Sequence, residues 1–212
     1  MKERLVGVVL AAGSGARMGG SKALLLVDGA PLARLHAERL REAACEEVLV
    51  VTRPELLETF AADARCVEST APDPAGSLAV GVRALQVAPT DVVVVTPVDA
   101  LPARAATIRL LVEMVLAGAE AATPQHGGRG GHPVVVRARV LAPFADALRS
   151  PPPLREVLAA LGPARVRVET ADPGVPLDLD TPEDVARVTG SPPSFARPLG
   201  SGWGRPDRRG IS

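Results

Sequence analysis

The run Ala11-Ala12-Gly13-Ser14-Gly15-Ala16-Arg17-Met18-Gly19-Gly20-Ser21-Lys22 holds the densest chemistry in the chain. Glycines let a backbone approach phosphate oxygens closely and turn free N–H groups toward them. Arg17 and Lys22 add two positive charges to the same loop, and two cations beside a backbone nest suit a triphosphate. Lys22 also stands out by composition: of 24 basic residues only Lys2 and Lys22 are lysines. A lysine is a compact point charge with rotatable donors, whereas arginine is a wide planar fork. Two better-known loops do not match. A P-loop places Lys between Gly and Ser/Thr, but here Lys22 stands between Ser21 and Ala23. A dinucleotide fingerprint needs a third glycine three residues after Gly15, and that position is Met18.

Acidic residues supply the second element of chemistry. Asp99 follows a run of four valines, Val92–Val95, at the expected carboxyl end of a central strand. Magnesium takes one or two carboxylates, with phosphate oxygens and water completing its shell, and Asp99 is placed to be the first. Asp178-Leu179-Asp180-Thr181-Pro182-Glu183-Asp184 holds the other candidates. Alternation in an extended segment puts Asp178 and Asp180 on one face. The competing role for Asp99 and Asp180 is helix capping. Glu183 and Asp184 fall in a first helical turn, where acids favour the helix dipole.

Strands and helices must alternate to bring these segments together, and the pattern does alternate. Strands are expected at Leu5–Leu10, Glu47–Thr52, Asp91–Thr96, Glu120–Pro124, Pro133–Arg137, Arg165–Glu169 and Val175–Leu179. Helices are expected at Pro31–Ala43, Pro54–Ala61, Gly76–Gln86, Arg104–Leu116, Val140–Leu148, Leu154–Leu161 and from Pro182. This order argues for an α/β fold, a mostly parallel sheet with helices on both faces. One domain over residues 1–189 is expected. From Gly190 the chain is rich in Pro, Gly, Ser and Arg without apolar periodicity, and reads as a disordered tail over 190–212.

Composition narrows the partners. Net charge is zero, aromatics are 2% and there is no Tyr, which argues against a nucleic-acid partner. The apolar run at Leu5–Leu10 is far shorter than a membrane span, so no membrane partner is expected. Cys45 and Cys66 are too few for a disulfide framework or a zinc site, and a cytoplasmic location is the default.

The stretch LAAGSGARMGGSKALL resembles the signature of MobA-like nucleotidyltransferases, especially the molybdenum cofactor cytidylyltransferases. The resemblance extends over about residues 5–189. AGSLAVGVRAL, TPVDALP, GGHPVVV and DLDTPEDV follow in the expected order. It implies a Rossmann-like, GT-A-type fold. It implies nucleotide binding by Leu10, Ala11, Ala12, Gly13, Ser14, Gly15, Arg17, Lys22, Ser77 and Gly81, with Arg17 and Lys22 catalytic. It assigns Mg2+ to Asp99 and, of the two late acids, to Asp180, and it places His132 near the acceptor. The residues after Asp99 are Ala100-Leu101-Pro102, where the family often has Gln or Met followed directly by Pro. Ala12, the third residue of Leu10-Ala11-Ala12-Gly13, goes with CTP in the family, where Gly goes with GTP. The implied reaction is transfer of a nucleoside monophosphate, CMP favoured, to a small phosphorylated acceptor such as molybdopterin. An isoprenoid or sugar-phosphate acceptor, or a nucleotide-binding protein without catalysis, is the alternative.

Overall fold

Val92, Val93, Val94 and Val95 are buried and form the first four residues of strand β6 (Val92–Pro97), at the centre of the architecture. On one side β6 pairs in parallel with β1 (Leu5–Ala11), which pairs in parallel with β4 (Glu47–Thr52) and then β5 (Arg65–Glu68). On the other side lie β9 (Val134–Arg137), β7 (Ala121–His126) and β10 (Arg165–Glu169). The short β8 (Arg129–Gly130) folds back on β7, completing an eight-stranded sheet. A separate hairpin joins β2 (Leu26–Val27) to β3 (Ala30–Pro31) through Asp28 and Gly29, both at positive φ, as a two-residue hairpin loop requires. The computed structural model describes residues 3–13, 15, 18–146 and 150–199.

Helices cover both faces. Leu32, Ala37 and Leu40 of α1 (Leu32–Glu42), Leu111 and Val115 of α4 (Ala105–Leu116) and Val185 of α7 (Pro182–Thr189) share one apolar cluster. Phe60 of the short α2 (Leu57–Phe60) joins it. Leu78 of α3 (Pro74–Ala84), Phe144 of α5 (Ala142–Ala145) and Leu158 of α6 (Leu154–Ala160) form the second cluster on the opposite face. The chain therefore runs outward from β1 through β4 and β5, then returns through α3 on the other face to β6. That reversal puts a crevice between the carboxyl ends of β1 and β6, where ligands of open α/β sheets bind.

The α/β expectation holds, with local differences. The edge strand β5 is not among the expected elements, and the expected helix Val140–Leu148 is a 3-10 turn, Ala138–Leu141, followed by the short α5, its residues 147 and 148 lying outside the described residues. β9 runs antiparallel to both β6 and β7. A run of three valines is equally at home in either direction, so its sequence carries no sign of this. The expected strand Val175–Leu179 is reduced to a single antiparallel bridge between Ala100 and Asp178. Residues 191–199, placed in the tail by composition, are instead held to the body. Phe195 bridges Leu25, Leu26 N–H donates to Ser194 O and Ala196 N–H donates to Leu24 O, each at 2.8 Å. One aromatic side chain that packs on the core and a few backbone bonds suffice where composition alone suggests nothing. Among the described residues no helix is long and apolar enough to cross a membrane.

His36 of α1 ties this helix to the end of β6. It is buried, with Nε2 2.9 Å from Ala100 O and Nδ1 3.2 Å from Thr96 Oγ1. A carbonyl can only accept, so Nε2 carries the proton and Nδ1 accepts from the Thr96 hydroxyl. Burial, against the pull of the Ala100 carbonyl and the Asp99 charge, lowers the imidazole to about 4 from an ordinary 6.5. The unfolded chain therefore takes up a proton that the folded chain refuses. His36 contributes stability above pH 6.5 that is lost as pH falls toward 4, about 3 kcal/mol in all. In urea melts between pH 7 and pH 4, the stability gap between wild type and His36→Gln should shrink as pH falls. A gap independent of pH would show that His36 is not held neutral.

Candidate active site

The crevice between β1 and β6 contains a cavity of about 450 Å3. Leu10, Ala12, Gly13, Gly15 and Lys22 line one side, and Pro97, Val98 and Asp99 another. The glycine-rich loop folds back on itself here. Gly15 has φ +62°, and a Cβ at that position would stand 1.9 Å from Gly20 O, so no other residue fits. A turn bond from Met18 N–H to Gly15 O follows, and Ala23 and Leu24 then bury into the core as a 3-10 turn, Lys22–Leu24. Those buried anchors fix the root of the Lys22 side chain at the cavity wall.

Lys22 brings the two predicted metal ligands together. Its Nζ is 2.6 Å from Asp180 Oδ1 and 3.5 Å from Asp99 Oδ2. Neither acid is a helix cap. The cap of α7 is Thr181, whose hydroxyl accepts from Asp184 N–H while the Asp184 carboxylate accepts from Thr181 N–H. At the start of α4, Asp172 accepts from Arg104 N–H and the Thr107 hydroxyl. Backbone bonds set the spacing between the two acids. Leu179 N–H donates to Asp99 O at 2.7 Å, and Leu101 N–H donates to Leu177 O at 2.9 Å. Beneath them His36 holds the Ala100 carbonyl.

Asp178 lies beside the pair without touching Lys22 within salt-bridge range. Desolvation, with the charges of Asp99 and Asp180, raises its carboxyl above the usual range against the pull of His132 and Lys22. His132 lies on that side too. Burial holds its imidazole below its ordinary value, although Asp178 and Asp99 act to raise it, and its Nδ1 is buried without a hydrogen-bond partner among the described residues.

Not every expected residue reaches the cavity. Ala11 points away into the core beneath α1 and is fully buried. Gly81 serves packing: a Cβ there would stand 2.9 Å from Val51 Cγ2 and 3.3 Å from Val8 Cγ1, so glycine lets α3 lie close on the sheet. Ser77 does line the cavity, in the first turn of α3, with its hydroxyl 3.3 Å from Ser69 Oγ. Ser14 and Arg17 lie outside the described residues. Sequence reasoning passed over Arg53, Thr70 and Asp73, which complete the wall. Arg53 follows directly on the carboxyl end of β4. Asp73 caps α3 by accepting from Gly76 N–H at 2.7 Å. The Asp-Pro pair at the start of that helix was the available signal.

The donor chemistry fits a hard divalent cation. One carboxylate on the wall of a cavity lined by a lysine and a glycine-rich backbone, with a second on the same lysine, is the protein's usual share of a site that phosphate oxygens and water complete. Among the described residues no group of three or more His, Cys, Asp or Glu is arranged to hold a metal unaided.

No functionally curated protein matches the chain. Among solved structures, Rv0371c from Mycobacterium tuberculosis H37Rv superposes with a TM-score of 0.72 at 23% identity, covering 90% of this chain and 100% of that one. The same protein in complex with manganese gives 0.69 at 23% identity, covering 89% and 99%. A nucleotidyl transferase from Methanothermobacter thermautotroptrophicus, Mth528, gives 0.71 at 22% identity, covering 89% and 97%. At these identities the likeness establishes the fold, a Rossmann-like α/β arrangement shared with nucleotidyltransferases. The model of the MobA-like NTP transferase domain matches residues 7–176, and the chain accordingly belongs to the MobA-like NTP transferase family of nucleotidyltransferases.

Proposed function

We propose that the chain transfers a nucleoside monophosphate, CMP from CTP, to a small phosphorylated acceptor such as molybdopterin and releases pyrophosphate. The observation that carries this reading is the Lys22 ammonium seated on Asp99 and Asp180 at the mouth of the β1–β6 cavity. In the reaction an acceptor oxygen forms a bond to the α-phosphorus as the bond to the pyrophosphate oxygen breaks. A phosphate acceptor is already ionised at its attacking oxygen and requires no general base. The protein's part is then positioning and charge stabilisation, as in phosphoryl transfer generally. Lys22, with Arg17 from the same loop, offsets charge on the triphosphate and on departing pyrophosphate. Gly13 and Gly15 let the backbone close on the phosphates. Asp99 and Asp180 would hold magnesium, which when bound neutralises phosphate oxygens and orients the α-phosphate. Ala12 lines the cavity, and alanine at this position, which goes with CTP in the resembling family where glycine goes with GTP, supports CTP. A structure of CMP:2-keto-3-deoxy-manno-octonic acid synthetase complexed with CTP shares the fold with a TM-score of 0.69 at 16% identity. A cytoplasmic location follows from the need for a nucleoside triphosphate pool.

Pyrophosphate release with each of the four common NTPs, crossed with molybdopterin and sugar-phosphate acceptors, tests the reading. Release should be fastest with CTP, and no release with any NTP would overturn it. CTP with magnesium should also raise the melting temperature by mass action, since it binds the folded chain. Lys22→Ala should lower turnover about a hundredfold or more, the scale for losing a preorganised charge at developing anionic oxygens. Lys22→Arg should remain impaired, because a planar fork does not replace a point charge in this gap. Near wild-type turnover in Lys22→Arg would mean that only net charge matters there. Asp99→Asn should abolish most activity, and Asp180→Asn should raise the magnesium concentration needed for half-maximal release. Since neither acid caps a helix, both variants should melt within about 1 kcal/mol of wild type. Unchanged magnesium dependence in both would remove the metal assignment.

A further inference from the structure

Arg165 and Arg167 are two residues apart on the edge strand β10, so their side chains leave the same face of the sheet. Both line a polar pocket of about 410 Å3 together with Thr123, Gly131 and His132. Arg165 is half-buried, and its Nε and Nη2 donate to the Thr123 hydroxyl at 3.3 and 3.1 Å. Among the described residues neither arginine has a carboxylate within 4.0 Å. By contrast, Arg137, buried in the same sheet, meets Glu3. The acid on the same face of β10, Glu169, is engaged by Gly127 N–H at 2.7 Å. Burial and the neighbouring Arg167 charge hold the Arg165 guanidinium below its ordinary value, so the pair is electrostatically unfavourable as it stands. Two guanidinium groups facing one pocket, one of them pinned by a neutral hydroxyl, are arranged for an anion.

The position of the pocket suggests which anion. His132 is a wall shared with an apolar cavity of about 540 Å3 lined by Leu10, Leu78, Val95, Val134 and Leu154. That cavity in turn shares Leu10, Asp73, Pro74 and Pro97 with the nucleotide cavity. Three compartments therefore adjoin in series: a triphosphate end, an apolar middle and a doubly cationic end. We propose that the Arg165–Arg167 pocket is an anion subsite of the acceptor, holding a second anionic group separate from the phosphate that attacks the nucleotide, while the organic body that joins the two lies in the apolar cavity. This rests on the nucleotidyltransferase reading above and adds to it that the acceptor joins an apolar or planar body to an anionic group.

Binding of inorganic phosphate and of phenyl phosphate to the full chain, with CTP and magnesium saturating the nucleotide cavity, tests this by calorimetry. Phenyl phosphate should bind about tenfold more tightly than inorganic phosphate, because its ring enters the apolar cavity. Arg165→Gln combined with Arg167→Gln should weaken both ligands about tenfold or more, the scale for losing charge-assisted bonds. The rise in melting temperature caused by CTP should be unchanged in that variant, showing an intact fold and nucleotide site. Phosphate binding undiminished in the double variant would overturn the subsite. Equal affinity for the two probes would also overturn it, because the pocket would then serve free phosphate alone. If CTP fails to shift the wild-type melt, the nucleotide reading falls; the arginine dependence of phosphate binding, repeated without CTP, still decides whether the anion pocket exists.

Discussion

A single ammonium group gathers three segments that are remote in sequence. Lys22 comes from the loop after β1, Asp99 from the loop after β6 and Asp180 from the approach to the last helix, and the lysine contacts both acids. The two carboxylates are largely solvated, at 42% and 60% exposed, while the lysine is 15% exposed. Contacts of this kind contribute on the order of 1 kcal/mol or less. They do not hold the fold together. What they do is register the parts of a site whose charges must meet a polyphosphate together.

The holding is done elsewhere, by backbone bonds and burial. The antiparallel bridge at Ala100 and Asp178, flanked by the Leu179-to-Asp99 and Leu101-to-Leu177 bonds, clamps the acid-bearing segment onto the end of β6. His36 holds the same loop through Ala100, and a neutral ring lets Nδ1 accept from the Thr96 hydroxyl while Nε2–H donates to the Ala100 carbonyl. Thr181 and Asp184 cap α7 between themselves, leaving Asp180 free to face Lys22. The charged groups can thus stay solvated and adjustable while the scaffold beneath them is rigid, as a site that must change partners when a triphosphate enters requires.

The groups most legible in the sequence act through local pattern. Gly13, Gly15 and Lys22 sit in one short loop after an apolar run, and Asp99 follows four valines, so strand-end placement could be read directly. What escaped were features made by the third dimension. Arg53, Thr70 and Asp73 become cavity walls only once β4 and α3 are laid beside β1. His36 looks like an ordinary residue in an amphipathic helix until α1 packs under the end of β6. Gly81 falls in a segment that resembles a nucleotide-binding motif, yet its backbone is needed for close contact between α3 and the sheet, a demand set by Val51 and Val8 from other strands. Phe195 holds down a segment that composition assigns to a tail, because one ring and its neighbouring backbone bonds do not register in an average over many residues.

If the Lys22 contacts mark a shared site for nucleotide and metal, binding of the two must be coupled. Titration of Mn2+ into the full chain, followed by electron paramagnetic resonance at increasing CTP concentrations, measures that coupling directly. Mn2+ should bind weakly alone, since the ammonium already sits on both carboxylates. It should bind much more tightly as CTP is added, because phosphate oxygens then draw the lysine away and supply further ligands. The contrary result would be Mn2+ affinity that is the same with and without CTP, which would place any metal site away from Lys22, Asp99 and Asp180.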